Sequence, residues 1–182
     1  MIRRAARGGI LLALALLLAA CAAPPPIPSA LGGLPRTHAL QGGDALREIN
    51  HLHGKSIPSR DGFVAHYERD GAVAMLYVSR AYLGPIARWQ LSRMVDGIQR
   101  GASNAEGRFT HLKAREQDGL TLYSALGLGQ VHYFYRSGAT IVWLAADPTV
   151  AREALADTVR LMRRGDRRRD DALTDCPSEG LA

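Results

Sequence analysis

The chain has 182 residues, which is short for two domains, and 47% of them are hydrophobic. Its formal net charge of +6 falls to +3 once the three arginines of the first seven residues are set aside. That excess is too small to indicate nucleic-acid binding. The only two cysteines are Cys21 and Cys176, so a fold held together by several disulfides is excluded.

The first 20 residues have the pattern of an export signal. A basic start precedes Ile10–Ala20, an unbroken apolar run of 11 residues. A transmembrane helix needs about 20 such residues, so the run is too short to span a bilayer. It ends in Leu18-Ala19-Ala20-Cys21, which resembles the lipobox of bacterial lipoproteins. The resemblance implies cleavage before Cys21 and lipidation of that residue. The alternative is an ordinary secretory signal followed by a chance cysteine.

Ala22 follows the cysteine, where many Gram-negative lipoproteins retained at the inner membrane have Asp. By that resemblance we expect the periplasmic face of the outer membrane. Four of the five residues 24–28 are prolines, which favours an extended tether. The predicted division of the chain is a signal peptide over 1–20, a lipidated cysteine and Pro-rich tether over 21–43, one globular domain over 44–164, and a disordered charged tail over 165–182.

Cap and turn signals divide the predicted domain into helices and strands. In chain order we expect a helix from Asp44 to about His53, strands over 63–69 and 72–80 joined by Asp70-Gly71, a helix from Gly84 to about Arg100, strands over 108–115, 120–126, 130–136 and 139–146, and a helix from Asp147 to about Arg164. Asp44 and Asp147 are the expected helix caps. The second helix should turn one apolar set to the core, namely Leu91, Met94, Val95 and Ile98. The last helix should turn another inward, namely Val150, Ala154, Leu155, Val159 and Met162.

The hairpin around Ser137-Gly138 gives a test of register. A turn at these two residues places Tyr133 opposite Val142 and His132 opposite Trp143. Both faces of the hairpin are apolar, so its strands should be central and covered by helices. The predicted fold class is therefore α/β (α+β), with an antiparallel sheet flanked by helices in the order α-ββ-α-ββββ-α.

This element order, over about residues 44–164, resembles the α/β/α sandwich of the Mog1 and PsbP-like proteins. Two segments, Leu52-His53-Gly54-Lys55 and 127–135, also resemble segments of uncharacterised bacterial envelope proteins. Neither resemblance implies an activity.

The six histidines raise the question of a metal or haem site. None of them has the i, i+4 spacing or the cysteine partners that identify zinc ligands in a sequence. Surface or structural roles are favoured, so no metal ligand and no cofactor is predicted. His53, His66 and His132 are the candidates if a site exists.

No catalytic residue is predicted either. No serine lies in a Gly-x-Ser-x-Gly elbow, and acidic residues fall mainly at turns and helix starts. Aromatic residues are concentrated in the sheet, and they include Tyr123, Tyr133, Phe134, Tyr135 and Trp143. They either fill its core or form a surface that binds a partner protein or a small hydrophobic ligand.

The expected function is that of a non-catalytic, lipid-anchored envelope protein. It would bind to, or assist the assembly of, a membrane or periplasmic complex. Its partners would be the membrane, through the N-terminal lipid, and a protein of the envelope. The alternative is a periplasmic metal- or haem-handling protein that uses its histidines.

Overall fold

A computed structural model describes residues 26–101 and 109–174. Its elements, in chain order, are β1 (Ala30–Leu31), β2 (Leu34–Gln41), α1 (Gly43–His53), β3 (Ser59–Arg69), β4 (Ala72–Ala81), α2 (Gly84–Gln99), β5 (Thr110–Gln117), β6 (Leu120–Gly127), β7 (Gln130–Ser137), β8 (Thr140–Ala146) and α3 (Ala151–Thr174). Strands account for 46% and helices for 32% of the residues that the structure describes, which confirms the predicted α+β class.

The strands form one antiparallel sheet in the order β1-β2-β3-β4-β8-β7-β6-β5. The hairpins β3–β4, β5–β6 and β6–β7 close through tight turns with positive φ at both positions, namely Asp70-Gly71, Asp118-Gly119 and Leu128-Gly129. The connection through α2 carries the chain from β4 to the far edge at β5. Three hairpins then return it, so that β8 lies beside β4 at the centre of the sheet.

One face of the sheet is apolar over its central strands and packs against α3; we call it the closed face. Its strand residues are Phe63, Ala65, Tyr67, Leu76, Val78, Leu122, Tyr135, Val142 and Leu144. The inward side of α3 supplies Ala151, Ala154, Leu155, Val159 and Met162, as its periodicity predicts. This layer is the main core of the protein.

The opposite face, which we call the open face, is covered only in part. Helix α1 packs Ala45 and Ile49 on Val64 near one edge of the sheet. Helix α2 packs Ala87 on Ala81 and Ile141. The rest of the open face carries Met75, Tyr77, Tyr123, His132, Phe134 and Trp143. The two faces therefore differ in how continuously helices cover them.

The folded domain begins earlier than residue 44, and the expectation of a tether up to residue 43 was wrong. Strand β2 pairs with β3 along most of its length, and β1 pairs back on β2. Leu31 and Leu34 are 0% and 3% exposed beneath α3. The turn between them uses Gly32 and Gly33, both at positive φ.

The domain also ends later than predicted. Helix α3 continues to Thr174, past the expected end near Arg164, so a disordered tail from residue 165 was wrong. Its last turns carry Arg and Asp with no apolar stripe, which hid the helix in the sequence. Residues 1–25 and 175–182, and with them the signal peptide and Cys21, lie outside the described residues.

Neither predicted aspartate cap forms. The N-cap of α1 is Gly42, and Asp44 pairs with Arg47 one turn further on. Asp147 lies four residues before the first residue of α3, and its carboxylate accepts the backbone N–H of Val73 at 2.8 Å. That bond fastens the start of α3 to β4.

The register of the β7–β8 hairpin is two residues away from the predicted one. The turn lies at Gly138-Ala139, so Tyr133 faces Leu144 and His132 faces Ala145. A slip of two residues leaves every side chain on the same face, because side chains alternate with a period of two. The predicted assignment of residues to faces was therefore right although the partners were wrong.

Candidate functional site

Three rings lie side by side on the open face, on the adjacent strands β6, β7 and β8; we call them the aromatic ladder. Tyr123 stacks on Phe134 with ring centroids 5.3 Å apart, and Phe134 stacks on Trp143 at 4.7 Å. The planes are within 12° and 11° of parallel. The three residues are direct cross-strand partners, which is why their rings stack. Phe134 is buried, whereas Tyr123 and Trp143 are partly exposed.

His132 is hydrogen-bonded to Trp143, the third ring of the ladder. Its Nε2 lies 2.9 Å from the Gly127 carbonyl, and its Nδ1 accepts the indole N–H of Trp143 at 3.2 Å. The ring of Phe109 packs edge-on against both His132 and Trp143. Burial lowers the pKa of His132, and the bond to Gly127 opposes this only in part. His132 is therefore a neutral donor–acceptor that fixes the indole of Trp143.

A groove opens beside the ladder, between α2 and the strands β6 and β7; we call it the α2 groove. Its volume is about 370 Å³. It is lined by Arg88, Leu91, Ser92 and Val95 of α2 and by Gly119, Leu120, Thr121, Tyr123 and Arg136 of the sheet. Tyr123 thus belongs to both the ladder and the groove.

The predicted core face of α2, namely Leu91, Met94, Val95 and Ile98, is confirmed only in part: Met94 packs against a core cluster, whereas Leu91 and Val95 line the groove. The fully buried residues of α2 are Ala87 and Gln90, with Ile86 and Met94 packed beside them. Gln90 donates to the Pro58 carbonyl at 3.1 Å, which ties the helix to the segment after α1. The helix is therefore turned so that Leu91 and Val95 line the groove.

The charge of the groove is cationic. Arg88 is exposed, and Arg136 donates to the Gly138 carbonyl at 2.6 Å. Neither guanidinium forms an ion pair with a carboxylate of the described residues. Among the described residues, the carboxylate bonded to a lining residue is that of Glu116, which accepts the hydroxyl of Thr121 at 2.7 Å. The groove therefore offers two cationic donors beside the apolar side chains of its lining.

This arrangement can bind an anionic group. Among the described residues, no histidine, carboxylate or cysteine lines the groove. Arginine stays protonated in proteins and cannot act as a general base. It does recognise carboxylates and phosphates through paired N–H donors. The chemistry supplied here is the recognition of an anionic group next to an apolar one.

The three candidate histidines do not come together. His53 is exposed at the end of α1, where its Nδ1 lies 2.7 Å from the Ile49 carbonyl. His66 lies on β3 and His132 on β7, with β4 and β8 between them. Within residues 26–101 and 109–174, no group of three or more His, Cys, Asp and Glu side chains is placed to hold a metal ion.

Sequence reasoning identified the ladder residues as an aromatic cluster but missed the arginines of the groove. Arg88 and Arg136 are 48 residues apart, on a helix and a strand, and arginine is common throughout this chain. The one available signal was Arg136 itself, a charge within an otherwise apolar strand that faces the same way as Phe134.

Comparisons with protein-family models, with curated proteins and with solved structures found no match. In the described part of the chain, no helix combines the length and the apolar character needed to cross a membrane.

Proposed function

We propose that this protein is a lipid-anchored, non-catalytic binding or accessory protein of the bacterial envelope, and that the α2 groove is its binding site. The proposal that the α2 groove is the binding site rests on its lining, in which Arg88 and Arg136 lie beside Tyr123. The partner is then a protein that presents an acidic side chain next to an apolar one. The binding surface lies on a rigid sheet, which suits recognition.

The proposed anchor rests on the sequence around Cys21. Eight residues, 22–29, separate Cys21 from β1 at Ala30. A fully extended chain of that length reaches about 30 Å. A domain held by this segment stays close to the bilayer and works on partners in or near the membrane.

Mass spectrometry of protein extracted from membranes tests the anchor. We expect the mature chain to start at Cys21 and to carry acyl chains, and a Cys21→Ser variant to remain unacylated with its signal attached. A mature, unacylated N-terminus at another residue would contradict the anchor and leave the proposal for the groove standing.

Site-specific photocrosslinking in cells tests the groove. A photoreactive residue at Ser92, inside the groove, should give a discrete adduct with one envelope protein. The same residue at Arg152, exposed on α3, serves as the control and should give none. Arg136→Glu should abolish the adduct because it reverses the charge that attracts the acidic partner. Equal adducts from both positions, or an adduct that survives Arg136→Glu, would contradict the proposal.

The alternative, a metal- or haem-handling protein, gains no support from the three histidines named for it in the sequence. His53, His66 and His132 lie on different elements, and both ring nitrogens of His132 already have partners.

A further inference from the structure

A second feature of the open face lies on β2, β3 and β4, away from the α2 groove. His38 is the direct cross-strand partner of His66, and His66 is the direct partner of Met75. Directly opposed residues of antiparallel strands project from the same face, with Cβ atoms about 5 Å apart. We call these three residues the histidine–methionine row.

The two imidazoles stand at a separation close to that of a shared metal ligand pair. Their ring centroids are 6.2 Å apart and their planes are 78° from parallel. A metal about 2.0 Å from one nitrogen of each ring would hold the centroids roughly 5 to 6 Å apart. A small change of side-chain rotamers is therefore enough for both rings to bind one ion.

The third member of the row decides which ion fits. Met75 is partly buried, and its sulfur accepts the hydroxyl of Tyr77 at a distance of 3.7 Å. A thioether is a soft, uncharged ligand that selects Cu(I), and imidazole also binds copper well. Two imidazoles and one thioether are a poor match for Ca²⁺ or Mg²⁺, which require oxygen ligands.

Solvent reaches one end of the row. His38 is exposed, whereas His66 and Met75 are half-buried.

We propose that His38, His66 and Met75 form a binding site for Cu(I). This site differs from the metal hypothesis drawn from the sequence, which combined His66 with two histidines that lie elsewhere. It does not depend on the α2 groove, since the two features share no residue.

Competition with a chromophoric Cu(I) chelator tests the site. The probe is Cu(I) alone, added to the full chain in detergent, without a histidine tag and with its thiols alkylated. We expect one bound equivalent. His38→Ala and His66→Ala should each weaken Cu(I) binding at least tenfold. The matched controls His111→Asn, at an exposed histidine of β5, and Met94→Leu, at a methionine of α2, should leave it unchanged.

The Met75→Leu variant separates the soft ligand from the imidazoles. X-ray absorption of the Cu(I) complex should show two nitrogen ligands and one sulfur ligand, and the sulfur should disappear in Met75→Leu. Thermal unfolding of every variant should stay within a few degrees of the parent, since none of the three side chains belongs to the main core. Equal Cu(I) affinity in the parent and His38→Ala, or a sulfur ligand that persists in Met75→Leu, would overturn the proposal.

Discussion

The two faces of the sheet are built from the same strands but are covered in different ways. The first half of the 24-residue helix α3 packs on the closed face and forms one large apolar cluster with its strands. The open face has two shorter helices, α1 with 11 residues and α2 with 16. Each of these packs against its own small cluster, and between and beside them lie aromatic, histidine and arginine side chains.

This difference separates stability from recognition. Burial of apolar surface is the main favourable contribution to folding, and most of it here lies under α3. The groups that can recognise a ligand by charge or by metal coordination lie on the other face. Mutations on the two faces should therefore have different consequences.

The largest effect is expected from a truncation under α3. Leu144 is 0% exposed on the closed face, so Leu144→Ala should lower the free energy of unfolding by about 2–5 kcal/mol. Val95→Ala, in the α2 groove, should cost less than about 1 kcal/mol because its side chain is only partly buried. Urea unfolding of the two variants measures the difference. Equal losses would show that the two faces contribute alike.

A glycine pair tests how tightly β1 is fixed beneath α3. Gly32 has φ +57°, and a Cβ there would lie 2.9 Å from the Ala154 Cβ, against the backbone of α3. Gly33 also has positive φ, but its Cβ would meet only the flexible end of Arg69, at 3.4 Å. Gly32→Ala should therefore cost about 3 kcal/mol, from the backbone conformation and the clash together, and Gly33→Ala about 1 kcal/mol. Similar losses for both would mean that β1 is free to move away from α3.

Much of the closed face could be predicted from the sequence. Asp70-Gly71 marked the turn between β3 and β4, and the spacing of Ala154, Leu155, Val159 and Met162 identified the inward side of α3. Strand β2 was missed because most of its residues are exposed or half-exposed, so it has almost no alternation of polar and apolar residues. Its place in the sheet follows from pairing with β3, which is a long-range contact.

The open face could be predicted only in outline. The ladder residues were identified as aromatic, but the register that stacks Tyr123, Phe134 and Trp143 depends on the position of two turns. His38 was assigned to the tether, so its pairing with His66 was not foreseen. Contacts between residues distant in the chain leave no local pattern in a single sequence.

His132, which is bonded to Trp143 of the ladder, should have a smaller effect on the free energy of unfolding, and this effect should depend on pH. Burial lowers its pKa from the ordinary value of 6.5, so the unfolded chain takes up the proton first. Its contribution to stability is complete above about pH 6.5, falls as the pH drops below that value, and levels off once the folded protein is itself protonated. The slope is at most about 1.4 kcal/mol per pH unit for one proton.

His132→Gln should flatten this dependence. The measurement is the free energy of unfolding in parent and variant between about pH 7.5 and about pH 5. Every other titratable group is common to the two proteins, so the difference between the two curves isolates His132. Parallel curves would contradict this prediction, because they would mean that the pKa of His132 is the same in the folded protein as in the unfolded chain.

The smallest effect on stability is expected in the α2 groove. Arg88 is exposed and has no ion pair with a described carboxylate, so Arg88→Ser should change the free energy of unfolding by no more than about 0.5 kcal/mol. The same variant should weaken the crosslinked adduct from Ser92, because it removes one of the two guanidiniums that attract the acidic partner. Arg93→Ser, at an exposed position of the same helix that does not line the groove, should leave both stability and adduct unchanged. The division between the two faces predicts this result: Arg88 contributes little to the free energy of unfolding but is required for binding. A large loss of stability in Arg88→Ser alone would instead make that arginine part of the packing of α2.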